Sequence, residues 1–325
     1  MDLYNYKPVK PFSKKHLLTL QDYTPDEILQ VLSLALKLKK LQKDGIEHHY
    51  LKGKTLAMIF TKSSTRTRVS FQTGIYQLGG QGLFLSSSDI QLGRGETIHD
   101  TAKTLSRYVD GIMIRTFKQS DVEDLARYGS IPVINGLTDL LHPCQVLADL
   151  MTVYEKKGAL SGLKLAFIGD GNNVCHSLMI ACSKLGIDFS LACPEGHWPN
   201  TEIVEKCRDN AVVSDAKIVI TTDPKKAITD ADAVYTDVWA SMGQESEAAQ
   251  RMQVFTPYQV NKELFSQAKK DAIFLHCLPA HRGEEVTEDI IDGPNSVVFD
   301  EAENRLHAQK AVMVLLMGGK QCPAL

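Results

Sequence analysis

The sequence has no Cys-x-x-Cys pair, and its cysteines are odd in number: seven, at positions 144, 175, 182, 193, 207, 277 and 322. No His/Cys spacing matches a zinc site. These absences exclude a disulfide-stapled module and a zinc finger, and a reduced, cytoplasmic protein is expected. No run of about 18 apolar residues is available to span a membrane, and no apolar signal stretch opens the chain. A strong charge of one sign is also lacking. The formal net charge is −3, so neither nucleic acid nor an anionic membrane is expected as a partner. Solenoid repeats and low-complexity segments are absent as well.

What is present is an ordinary globular composition, 43% hydrophobic and 23% charged over 325 residues. That length accommodates two domains, each with its own core. Short β-branched runs alternate with helix-periodic stretches. Strands are predicted at 55–60, 82–86, 111–116 and 131–135, then at 164–169, 188–193, 217–222, 233–238, 272–278 and 297–300. Apolar positions at Ile98, Ala102, Leu105 and Val109 recur with helical period between two of them. This alternation predicts an α/β protein with right-handed βαβ units and parallel sheets covered on both faces. One strong helix, about Pro143 to Lys157, separates the two strand sets and ends in a basic turn followed by Gly158. The domain boundary is expected inside or just after it. A last helix is predicted from about Glu303 to Leu316. Polar segments fall at the carboxyl ends of several strands, where ligands sit in open α/β sheets.

The densest chemistry lies at Ser64-Thr65-Arg66-Thr67-Arg68, between a strand and a helix. A helix start offers unpaired N–H groups and the positive end of the macrodipole, hydroxyls cap it, and arginines fork onto phosphate oxygens. A small anionic ligand is expected there; the bland alternative is an N-cap flanked by solvated arginines. His142 precedes Pro143 at the next helix start, where the dipole disfavours its charged form and leaves a neutral donor able to polarise a carbonyl. An ordinary capping histidine is the alternative. His276-Cys277-Leu278-Pro279 ends a buried strand, delivering Cys277 as a contact or proton-transfer residue or simply as a small hydrophobe. Asp237 ends another strand and can pair an ammonium. Ser241, in the loop with Met242 and Gly243, can donate to a carboxylate. Asn173 can hold an amino-acid head group.

Two nucleotide motifs fail. Gly53-Lys54-Thr55 has His48 where a P-loop needs its first glycine, and Gly169-Asp-Gly171 lacks a third glycine, carrying Val174 instead. A Rossmann-type dehydrogenase is thereby disfavoured.

Together these segments resemble those of the ornithine carbamoyltransferases, along essentially the whole chain. Ser-Thr-Arg-Thr-Arg and His-Pro-x-Gln are shared by all carbamoyltransferases. The Asp237-x-x-x-Ser241-Met242-Gly243 and His276-Cys277-Leu278-Pro279 segments resemble the ornithine enzymes; the putrescine enzymes lack the Ser-Met-Gly loop. The resemblance implies two parallel-sheet domains flanked by helices and joined by interdomain helices, with the active site in the cleft. A carbamoyl phosphate-binding domain would span 1–148, joined by the C-terminal helix at about 303–325, and an ornithine-binding domain 149–302. It implies transfer of a carbamoyl group from carbamoyl phosphate to the δ-amine of L-ornithine, giving L-citrulline in the synthesis or breakdown of arginine. A carbamoyltransferase for another amine, such as putrescine, is the nearer alternative. Ser64, Thr65, Arg66 and Thr67 would hold the phosphate. Arg115, His142 and Gln145 would address the carbamoyl group. Cys277 and Leu278 would line the junction of the substrates, and Arg305 would face carbamoyl phosphate. Gln91 would reach the site of a neighbouring subunit in a homotrimer. Asn173, Asp237, Ser241 and Met242 would hold ornithine. Catalytic roles would fall to Arg115, His142, Asp237 and Cys277. No cofactor and no metal is implied.

Overall fold

The computed structural model describes residues 2–240 and 245–319. The chain divides into two compact units, Met1–Met151 with Glu303–Leu325, and Thr152–Ala302. The first unit contains α1 (Pro25–Lys43), β1 (Thr55–Phe60), α2 (Thr65–Gln77), β2 (Gln81–Ser86), α3 (Ile98–Leu105), β3 (Gly111–Arg115), α4 (Gln119–Tyr128) and β4 (Val133–Leu137). The chain leaves that unit within α5 (Pro143–Lys157). The second unit contains β5 (Lys164–Ile168), α6 (Asn173–Leu185), β6 (Asp188–Ala192), α7 (Thr201–Ser214), β7 (Ile218–Thr221) and α8 (Pro224–Ile228). It continues with β8 (Ala233–Tyr235), α9 (Ala248–Phe255), α10 (Lys262–Phe265), β9 (Ile273–Leu275) and α11 (Glu288–Ile291). The chain returns to the first unit within α12 (Val298–Met317).

Each unit is built on a parallel sheet, in the order β2-β1-β3-β4 in the first and β7-β6-β5-β8-β9 in the second. The inner strands read as unbroken apolar runs because helices cover both faces: every residue of β3 is buried, as are Leu56–Phe60 of β1. The edge strands β2 and β7 mix exposed and half-buried positions instead. Ala102 of α3, Val122 and Leu125 of α4, and Val109 from the turn after α3 pack on Ile59, Ile112 and Ile114 in the first core. Ile168, Val234 and Phe274 centre a core of the second unit, with Ile228, Val286 and Val298 packed around them.

The stretch predicted as a strand at 297–300 is not one. Val298–Asp300 form the first turn of α12, which carries Asp300 and Glu301 as its acidic start. A short Val-Val-Phe run has no period that separates strand from buried helix, and here the buried Val298 packs in the second core as a helical residue. Among the described residues no helix is long and apolar enough to cross a membrane.

Lys310 of α12 is buried completely. Its ammonium donates to Gln42 Oε1 (2.7 Å), Gln77 Oε1 (3.0 Å) and His48 Nε2 (3.0 Å). Burial pushes its pKa down to about 8, against about 10.4 for an unfolded lysine. Between these values the unfolded chain binds the extra proton, so stability contributed by this residue rises with pH. Unfolding free energies of the wild type and of Lys310→Met, measured by urea at pH 7.5 and pH 10, test this. The difference, wild type minus variant, is expected to grow in favour of the wild type at pH 10. An unchanged difference contradicts the depressed pKa.

Candidate active site

In the first unit, the polar residues gather beyond the carboxyl ends of β1, β3 and β4. Ser64 has extended backbone and caps α2, its Oγ accepting from Thr67 N (3.1 Å). No acidic residue occupies that first turn, so nothing there neutralises the positive helix end. Thr65 is exposed, Ser64 and Arg66 are half-buried, and Thr67 is buried. Arg68 turns away: its guanidinium lies 3.6 Å from the centre of the Phe84 ring on β2.

Arg115, buried at the end of β3, is placed by a bulge. The pairing of β3 with β4 shifts between Ile114 and Arg115, passing over Gly136. A Cβ on Gly136 would come to 2.7 Å from Met113 Sδ and 3.1 Å from the Ile114 carbonyl, so a larger residue there would have to displace the methionine. Such a register shift re-aims the side chain that follows it. His142 is buried just ahead of α5. Burial, and then the cationic charges of Arg305, Arg115 and Arg66, hold its pKa well below the ordinary value, so it is a neutral imidazole. Arg305, buried on α12, donates from Nη1 to Gln145 Oε1 (2.5 Å) and from Nη2 to Thr67 Oγ1 (3.1 Å). Gln145 donates in turn to Asp149 Oδ1 (2.8 Å), a fully buried carboxylate on the same helix. Residues far apart in sequence thus meet in one cationic cradle. Lys62 belongs to this neighbourhood too, paired with Asp139 and lying 4.3 Å from the centre of the Phe117 ring.

Gln91 is not brought to the cradle. It is exposed at the start of a 3-10 turn.

In the second unit the centre is Asp237, buried two residues past β8. Its Oδ1 accepts from Cys277 Sγ (3.1 Å) and from Val238 N (2.8 Å), and its Oδ2 accepts from Asn172 Nδ2 (2.7 Å). Asn172 also caps α6, its Oδ1 accepting from Val174 N and Cys175 N (both 3.1 Å). Asn173 is the first residue of that helix. A Cβ on Gly171 would collide with the backbone of residues 197–199. The glycine therefore serves close packing within the chain, and the capped helix start is already occupied by Asn172. Neither feature suits a dinucleotide pyrophosphate, which needs that approach and those N–H groups.

Leu278 adopts φ +56°, left-handed backbone that costs a leucine about 1–2 kcal/mol. His276 holds that turn: its Nδ1 accepts from Leu278 N (2.9 Å), while its Nε2 faces Glu285 Oε1 (3.0 Å). Glu285 also accepts from His281 N (2.7 Å), and Glu301 accepts from His276 N (3.0 Å) and Tyr235 Oη (3.0 Å). Donor atoms of Asp237, His276 and Cys277 lie within 4.8 Å of one another. Both ring nitrogens of His276 are already engaged, so a cation there would have to break the turn. Ser241 and Met242 lie outside the described residues. Arg251 anchors the chain just before them, bonded to the Trp239 carbonyl and to Asp170.

Asn172, Asp149, Glu285 and Arg251 were not singled out in the sequence. Asn172 carried a signal: an Asn ahead of an apolar helical run is a cap. For the others only the fold supplies the partner.

Polar groups collected beyond the strand ends of two parallel sheets mark a two-domain α/β enzyme. Two family models match nearly the whole chain. The aspartate/ornithine carbamoyltransferase carbamoyl-P binding domain covers residues 15–155, and the Asp/Orn binding domain covers residues 161–316. The chain is similar to the ornithine carbamoyltransferase of Thermococcus kodakarensis, 61% identical over 305 residues, 94% of this chain and 97% of that protein. It is 63% identical over 303 residues to the ornithine carbamoyltransferase of Oceanobacillus iheyensis, covering 93% of this chain and 94% of that one. The solved structure of ornithine carbamoyltransferase from Pyrococcus furiosus superimposes with a TM-score of 0.93 at 58% identity, covering 96% of this chain and 99% of that one. This chain belongs to the aspartate/ornithine carbamoyltransferase family.

Proposed function

We propose that this protein transfers the carbamoyl group of carbamoyl phosphate to the δ-amine of L-ornithine, giving L-citrulline and phosphate. The observation that carries the reading is the cationic charge of Arg66, Arg115 and Arg305 acting on a buried, neutral His142 beside a capped, acid-free helix start. That arrangement suits an acyl phosphate, in which a phosphate is joined directly to a carbonyl. Relatives about 60% identical, named for ornithine, support the acceptor.

In this reading Ser64, Thr65, Arg66 and Thr67 hold the phosphate. Arg115, His142 and Gln145 address the carbamoyl group, and donors aimed at its oxygen stabilise the charge that develops there. The neutral amine attacks the carbonyl carbon, a C–N bond forms, and the C–O bond to phosphate breaks with its electron pair leaving on the phosphate, which takes up the proton that the attacking nitrogen loses. Asp237 pairs the ammonium end of ornithine, with Asn173, Ser241 and Met242 completing that site. Cys277 and Leu278 contact the reacting groups. Gln91, exposed on its own chain, serves a neighbouring copy in a homotrimer. The enzyme works in the cytoplasm.

Phosphate release from carbamoyl phosphate, with ornithine, putrescine or aspartate offered in parallel reactions, tests the assignment. Ornithine is expected to be the preferred acceptor, since putrescine has no α-carboxylate for Ser241 and Asn173. Its rate should climb from pH 6 to 9, because the reacting amine titrates near 10.4 and His142 stays neutral throughout. Equal use of putrescine overturns the acceptor, and a flat profile with chemistry rate-limiting overturns the amine step.

A further inference from the structure

Gln309 lies one turn beyond Arg305 on α12 and is completely buried. Its amide orientation is set by its neighbours. The carbonyl accepts from Arg305 Nε (3.1 Å) and Nη2 (2.9 Å), and the amide nitrogen donates to Ser70 Oγ (2.5 Å). Ser70 donates to the Arg66 carbonyl (2.6 Å), in the first turn of α2. One side chain thus joins Arg305 to the turn that carries Arg66 and Thr67.

We propose that Gln309 is a positioning residue for carbamoyl phosphate, fixing the plane of the Arg305 guanidinium against the helix start of α2. The proposal rests on the reading that Arg305 faces that substrate. A guanidinium presents five N–H groups in one plane, so its orientation is set once acceptors lie on several of its edges. Gln145 takes Nη1, Thr67 takes Nη2, and Gln309 takes Nε and Nη2 together. The Gln309 contact engages two nitrogens at once, which resists rotation of the guanidinium plane about the Cδ–Nε bond. Its neutrality matters as well. A carboxylate at the same distance would hold the plane but offset the charge that attracts the substrate anion.

Steady-state kinetics of Gln309→Leu test this, with inorganic phosphate as a competing product. The KM for carbamoyl phosphate and the Ki for phosphate are both expected to rise about tenfold, as hydrogen bonds to a charged group are lost. The kcat should fall less than about threefold and the ornithine KM stay within about twofold. In an Arg305→Ala background the same substitution should change these constants by less than about twofold, because its effect passes through Arg305. Gln309→Glu keeps the acceptor contacts to Arg305, gives up the donor to Ser70 and adds charge, so it should still fold yet raise both constants. That variant decides the matter if Gln309→Leu does not fold. If Arg305→Ala leaves carbamoyl phosphate binding intact, the underlying reading of Arg305 fails. If Arg305→Ala weakens binding but Gln309→Leu does not, or the two effects simply add, the positioning role is overturned. A wild-type Gln309→Glu overturns the part played by neutrality.

Discussion

Asp237→Asn is expected to lower kcat/KM for ornithine by about two to three orders of magnitude. Truncating or neutralising one partner of a buried, hydrogen-bonded charge pair costs about 2–5 kcal/mol, and each 1.36 kcal/mol is a factor of ten. Asp237 is buried and already accepts from Asn172, Val238 and Cys277. These three hold the carboxylate in place but bring no full positive charge, leaving the ammonium of ornithine to supply it. Asparagine has the same shape and can keep the Cys277 and Val238 bonds through its carbonyl. Its amide would face Asn172 Nδ2 donor to donor, so the melting temperature should fall modestly while ornithine use collapses. The KM for carbamoyl phosphate, most of whose proposed residues lie in the other unit, should change far less, with Cys277 and Leu278 the only proposed contacts on this side. Unchanged ornithine kinetics would remove Asp237 from the acceptor site.

The α/β class was legible because inner strands such as Thr55–Phe60 and Gly111–Arg115 are buried on both faces and so spell continuous apolar runs. Where burial does not discriminate, reading failed: Val298 is as apolar in a helical turn as it would be in a strand. The site divides along the same physical line. Ser64 announces itself, since capping a helix start is local chemistry within three residues, and His142 stands out by the Pro143 that opens the helix after it. Arg305 looks like any arginine on an amphipathic helix. Its link to Thr67 spans 238 positions and that to Gln145 spans 160, so only the folded chain joins them, and in the sequence its role came from resemblance alone. Gln309 and Glu285 are invisible for the same reason, because a residue that acts by holding another carries no motif of its own. The left-handed turn at Leu278 is also hidden, since leucine is among the residues least suited to it.

Arg66→Ala is expected to raise the KM for carbamoyl phosphate by tens of fold and to lower kcat by about a hundredfold, with the ornithine KM nearly unchanged. The asymmetry follows from where the residue stands. Arg66 lies in the first turn of α2, behind the Ser64 cap, and its charge is one of three that depress the His142 pKa. A guanidinium there attracts the phosphate in the ground state and then stabilises it further as the C–O bond breaks and charge moves onto the leaving oxygen. Both binding and chemistry should therefore suffer, unlike Gln309→Leu, which should affect mainly binding. Lysine at position 66 should recover part of the binding loss, because it restores the charge, and little of kcat, because a point charge cannot fork onto two phosphate oxygens. Inorganic phosphate should likewise become a weaker product inhibitor. Steady-state kinetics with each substrate varied in turn separate these effects. Equal losses toward ornithine and carbamoyl phosphate would mean that Arg66 supports the fold of the turn, and that the anion is held by other groups.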